Sequence, residues 1–180
     1  MTPQDHYKEI LLSIGEDPNR DGLLNTPNRV IKALREMTHG YELDPKDILS
    51  TTFDVTYDQL VVVRDVPFTS LCEHHVLPFH GFATVGYIPG DRVVGLSKLA
   101  RLVDCFASRL QVQERMTNQI AEAIQTHLRP GGVGVMIRAN HSCMASRGIK
   151  KHGEMVTSCL LGAIRNEPDA RAEFLELARR

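Results

Sequence analysis

The chain has 180 residues, enough for one domain with a real core, or one domain plus a small appendage. Hydrophobic content of 42% and charged content of 24% are those of an ordinary soluble globular protein. A net charge of −1 and a pI near 6.7 argue against a nucleic-acid-binding surface as the main purpose. No apolar run approaches the roughly 20 residues of a membrane span. The opening MTPQDHYKEI lacks the basic-then-apolar pattern of a signal peptide. Cysteines at 72, 105, 143 and 159 are too few and too scattered for a disulfide scaffold. A cytosolic protein with neither nucleic acid nor membrane as partner is the simplest reading.

In chain order, Tyr7, Ile10, Leu11 and Ile14 follow helical spacing until Gly15 stops the helix. GEDPNRDGLLNTP is a loop. Thr26 and Pro27 form an N-cap and N1 pair for a second helix, whose stripe is Val30, Ile31, Leu34 and Met37 and which ends at His39-Gly40. QLVVVRDVPF and FATVGYIPGDRVVG read as strands, with PGDR as a hairpin turn. Ser97 can cap a helix that sends Leu99, Leu102, Val103 and Phe106 inward. A longer helix runs from about Val112 to Leu128 with Met116, Ile120 and Ile124 on one face. VGVMIRAN and MVTSCLLGAI read as strands flanking a loop, and a last helix begins near Pro168. These elements predict one α+β domain with a mostly antiparallel sheet, residues 51–180, and an N-terminal helical region, residues 1–50.

Two short stretches carry chemistry. SLCEHHVLPFHG places Cys72, Glu73, His74 and His75 side by side, and NHSCMASRG adds His141 and Cys143. Cys72 and His75, three apart, can chelate one ion from a turn; His141 and Cys143, two apart at a strand exit, can share a face. The competing reading makes Cys72 and Cys143 small buried hydrophobes, but thiols with adjacent histidines favour a metal, and this donor set favours zinc over magnesium or calcium. Four ligands would close a structural site. Three would leave a position for water, which then becomes acidic, and would free histidines for proton transfer. Spacing leaves both open. Cys105 and Cys159, in an amphipathic helix and an apolar strand, read as core.

Helix starts favour acidic residues. Here the helix opening at Ser97 carries Lys98 and Arg101, and the one opening at Thr26 carries Arg29 and Lys32. Solvated charges would explain one such case; two suggest a polyanion, with Arg147 able to join. Glu114, opening the long helix, fits ordinary dipole complementation but can also accept paired N–H bonds from a guanine edge.

Taken together, GEDPNRDGLLNTPNRV, SLCEHHVLPFHG, YIPGDRVVGLSKLARLVDCFASRLQVQERMTNQIAEAI, HSCMASRGI and VTSCLLGAIRNEPDARAEFL resemble the GTP cyclohydrolase I family, in family order from about residue 15 onward. The resemblance implies the tunnelling fold, an antiparallel four-stranded sheet with two helices on one side. It also implies assembly into a β-barrel oligomer, a homodecamer of two pentamers with active sites between subunits. The implied reaction turns GTP and water into formate and 7,8-dihydroneopterin triphosphate, the entry to folate or tetrahydrobiopterin synthesis. By position, Cys72, His75 and Cys143 hold one zinc per subunit with water as fourth ligand. His74 and His141 match the proton-transfer histidines, and Ser97 assists the later rearrangement. Glu114 matches the guanine anchor with Gln113 beside it. Lys98, Arg101 and Arg147 match triphosphate contacts, and Arg29 and Lys32 reach in from a neighbouring subunit. Ser142 stands where the family often has a bulky residue, and Met144-Ala145-Ser146 is smaller and more polar than the pattern. The long extension of animal forms is missing, so control by a dedicated feedback protein is not expected. The rivals are a tunnelling-fold enzyme acting on another pterin or deazapurine, and a non-catalytic zinc scaffold.

Overall fold

The computed structural model describes residues 1–179. Its elements are α1 (Pro3–Ser13), α2 (Thr26–Met37), a 3-10 turn (His39–Glu42), α3 (Pro45–Ile48), β1 (Thr52–Asp54), β2 (Val61–Cys72), β3 (Pro78–Ile88), β4 (Arg92–Val94), α4 (Leu96–Ala107), β5 (Leu110–Gln111), α5 (Gln113–Leu128), β6 (Gly132–His141), α6 (Ser142–Ala145), β7 (Glu154–Leu161), α7 (Gly162–Asn166) and α8 (Pro168–Arg179). The chain divides into two compact units, Met1–His39 and Gly40–Arg180.

In the first unit, α1 opens on a capping box. The Thr2 hydroxyl accepts from the Asp5 N–H at 3.2 Å, and the Asp5 carboxylate accepts from the Thr2 N–H at 2.7 Å. Of the expected stripe, Leu11 is buried, while Ile10 and Ile14 lie exposed. Thr26 is the first residue of α2 rather than its cap. Its N–H is already donated to the Leu23 carbonyl at 2.9 Å, so Asn25 becomes the cap, without a side-chain cap bond. Val30, Ile31, Leu34 and Met37 do share a face, but each is only half-buried.

In the second unit, the sheet runs β5-β2-β3-β6-β7. The pairings β2–β3, β3–β6 and β6–β7 are antiparallel, and two-residue β5 adds a parallel pair against Leu71 and Cys72. Strand alternation splits the sheet into two faces. Val133, Val135, Ile137 and Ala139 of β6 pack with Leu99, Leu102, Met116, Ile120 and Ile124 of α4 and α5 in the main core. The opposite face carries Val62, Ile88 and Met136 against Ile164, Phe174 and Ala178, so the last helix covers the other side of the sheet. Gly134 allows this approach: a Cβ there would stand 2.8 Å from the Phe174 ring.

Three local expectations change. PGDR does not close a hairpin, because β4 pairs with β1. The Val94 N–H donates to the buried Tyr87 hydroxyl at 3.0 Å, and Arg92 bonds Thr52 through Nε at 2.7 Å, which draws the segment away from β3. Ser97 does not cap α4, since the helix begins a residue earlier, with Gly95 as cap and Lys98 N–H on the Gly95 carbonyl at 2.8 Å. MVTSCLLGAI is not one strand: Gly162, at φ +58°, ends β7 and starts α7. Cys105 is fully buried and Cys159 packs partly buried against the main core, as their patterns predict. Among the described residues, no helix is long and apolar enough to cross a membrane.

Candidate metal centre and active site

The end of β2 and the turn after it build half of the site. The Cys72 N–H donates to the Leu77 carbonyl at 2.9 Å, and the Cys72 carbonyl accepts from the Val76 N–H at 2.8 Å. Closing so tight a turn sets Val76 at φ +54°, an uncommon conformation for a β-branched residue. The result folds the His75 ring back toward the Cys72 thiol, with Nδ1 at 4.0 Å from Sγ. The other half comes from the end of β6. There His141 is the last strand residue, and the single turn α6 presents Cys143. Ligand atoms of Cys72, His75 and Cys143 all lie within 4.8 Å of one another. Burial, and then Cys72, push the Cys143 thiol pKa up.

The surrounding side chains hold this arrangement. Glu73 makes a two-pronged ion pair with Arg115 at the start of α5, one contact being 3.0 Å, and that guanidinium holds its carboxyl below the usual range. Arg147 sits 2.9 Å from the His75 Nε2. His74 is 64% exposed, with Nδ1 3.9 Å from the Cys72 sulfur and Nε2 3.9 Å from Glu73. His141 is sandwiched differently: its ring stacks on Phe79 at 4.7 Å and 6°, and Nε2 lies 2.8 Å from the Gln113 Oε1. Burial lowers its pKa, with the nearby Glu114 carboxylate opposing. A cleft of about 310 Å³ opens beside it, lined by His80, Asn140, His141, Ser142 and His152.

The structure therefore gathers Cys72, His74, His75, Gln113, His141, Cys143 and Arg147 and puts Glu114 within electrostatic reach. Gln113 does not turn its side chain outward with Glu114; it is 1% exposed and faces His141. Ser97, Lys98 and Arg101 stand at the start of α4, and among the described residues no hydrogen bond or ion pair joins them to the cluster. Arg29 is the fourth residue of α2 and Lys98 the third of α4, each within a first turn, while Lys32 and Arg101 fall after it. Lys32 approaches Glu36 at 3.8 Å with both side chains mostly exposed. The Glu73–Arg115 pair, the Phe79 stack and His152 had no signal in the sequence, since each depends on segments far apart in the chain.

A family model described as GTP cyclohydrolase I matches residues 3–179. Among curated proteins, GTP cyclohydrolase 1 of Nitrosospira multiformis is 53% identical over 175 residues, covering 96% of this chain and 92% of its own. That of Leptospira biflexa is 53% identical, covering 96% and 95%. That of Coxiella burnetii is 50% identical over 181 residues, covering 99% and 98%. Among solved structures, an archaeosine synthase QueF-like protein in the apo form resembles 55% of this chain and 91% of its own at 21% identity, with a TM-score of 0.42, too low to bear on the fold.

Proposed function

The chain belongs to the GTP cyclohydrolase I family, and on that premise we propose how its own residues carry the reaction. GTP and water become formate and 7,8-dihydroneopterin triphosphate, the entry to folate or tetrahydrobiopterin synthesis, in the cytosol. The observation that carries this reading is the convergence of Cys72, His75 and Cys143 beside His141 and a cleft.

Two thiols and an imidazole suit zinc. Zinc bonds of about 2.3 Å to sulfur and 2.0–2.1 Å to nitrogen place tetrahedral ligand atoms roughly 3.3–3.8 Å apart, so small side-chain rotations would close the present spacing. One zinc per subunit would supply a Lewis acid with one open position, where water becomes nucleophilic near neutral pH. His141 delivers a proton to the guanine imidazole nitrogen as C8 is attacked. His74, exposed on the ligand turn, moves protons during the second hydrolysis that frees formate. Ser97 and a histidine assist the ribose rearrangement that precedes closure to the dihydropterin.

Glu114, exposed at the start of α5 beside Gln113, accepts the two parallel N–H bonds of the guanine edge. Lys98, Arg101 and Arg147 hold the triphosphate, with Arg29 and Lys32 reaching it from a neighbouring subunit. Such sharing goes with a homodecamer of two pentamers, in which tunnelling-fold sheets join into a barrel. The sheet ends support it: β7 is an edge strand, and β5 covers only Leu71 and Cys72 of β2. Long uncovered edges invite pairing with another copy. The deciding experiment is formate release from GTP by the purified protein with and without chelator. Chelator-sensitive formate is expected; its absence from metal-loaded protein would overturn the reading.

A further inference from the structure

Gln113 opens α5 with its side chain buried between β6 and β7. Its Nε2 lies 3.1 Å from the Ile137 carbonyl, 3.0 Å from the Met155 carbonyl and 3.1 Å from Thr157 Oγ1. Carbonyl oxygens only accept, so the nitrogen must face them, and a flipped amide would press oxygen against two carbonyls. The amide oxygen is thereby committed to His141 Nε2 at 2.8 Å.

The hydroxyls beside it fix the remaining directions. Thr117 donates its one proton to the Gln113 carbonyl at 2.7 Å. The 2.7 Å contact between Thr117 and Thr157 is then donated by Thr157, which leaves the Thr157 oxygen to accept from the Gln113 amide. Each hydroxyl hydrogen in this chain of bonds has one available place, and the two amide hydrogens of Gln113 are shared among three acceptors. Since Gln113 Oε1 carries none, the bond to His141 needs a hydrogen on Nε2.

We propose that Gln113 is a positioning residue for His141: it holds the ring in one orientation and one tautomer, with the proton on Nε2. Any proton that His141 exchanges with the substrate then passes through Nδ1. Phe79 fixes the ring plane and Gln113 fixes its rotation, so together they remove the freedom a proton-transfer group cannot use. The inference rests on the catalytic role assigned above to His141, and it gives the Gln113 side chain a task different from touching guanine.

Neutron diffraction from crystals of the zinc-loaded protein tests this directly. Deuterium is expected on His141 Nε2, aimed at Gln113, whether or not Nδ1 also carries one; deuterium on Nδ1 alone overturns the proposal. That map needs no substitution, so it decides even if a variant fails to fold. Gln113→Met keeps the side-chain length and removes the amide. Its kcat for formate release should fall roughly 10–100-fold with KM for GTP little changed, the effect of losing an outer-shell partner. Unchanged kcat, or a rise in KM alone, would make Gln113 a substrate contact or a bystander. Failure of the wild-type protein to release formate would sink the function while leaving the tautomer readable in the map.

Discussion

Around His141, a stacked ring, a buried amide and two threonine hydroxyls hold one side chain, whereas near the start of α4 Lys98 is only half-buried and Arg101 stands exposed. The contrast fits the roles proposed above for each group. Proton transfer and metal binding depend on sub-ångström placement, so the groups are fixed before substrate arrives. Phosphate capture depends on charge, and long flexible cations can be ordered by the ligand itself at a modest cost in rotamer freedom. A cation end left open within one chain also suits a site completed by a second copy.

Substitutions at the fixed end should have the largest effects. Cys143→Ser should lose zinc and activity together, by more than the roughly 100-fold that outer-shell changes cost. Stoichiometric, tightly held zinc in that variant would remove Cys143 from the ligand set. His141→Ala should keep zinc near the wild-type level while turnover drops by roughly 10²–10⁴, the usual worth of acid–base assistance. Zinc loss as complete as in Cys143→Ser would make His141 a ligand instead.

At the open end the losses should be smaller and confined to the triphosphate. Arg29→Ala and Arg101→Ala should each reduce the preference for GTP over guanosine by roughly 10–100-fold, the worth of a charged hydrogen bond. Arg101→Lys should recover only part, since a point charge cannot replace a fork. Mixing the two alanine variants should restore some activity if the site is shared between subunits. Equal GTP affinity in all of them would return these residues to the solvated surface. The smallest effect is expected at Glu114, which keeps one acceptor in Glu114→Gln: GTP binding should weaken by roughly 10-fold and discrimination against ATP should blunt. Unaltered selectivity would leave Glu114 as a helix-dipole residue only.

Local chemistry made much of this protein readable from its residues in order. Adjacent thiol and imidazole in Cys72–His75 and His141–Cys143, the 3.6-residue stripe Met116–Ile120–Ile124 and the apolar runs of β2, β3 and β6 each act within a few residues of themselves, so their meaning survives without a fold. Other features depended on what distant segments offered. PGDR could have closed a hairpin, but Tyr87 and Thr52 gave Val94 and Arg92 better partners. Ser97 and Thr26 could have capped helices, but the Thr26 N–H is engaged by the Leu23 carbonyl and Gly95 takes the capping place ahead of Ser97. Gln113 looked like a neighbour of Glu114, yet successive residues of a helix point about 100° apart, and β6 and β7 took its side chain inside. Hydrogen-bond direction was decided last of all. It follows from which donors and acceptors packing brings within about 3 Å, and long-range packing is what a linear pattern leaves undetermined.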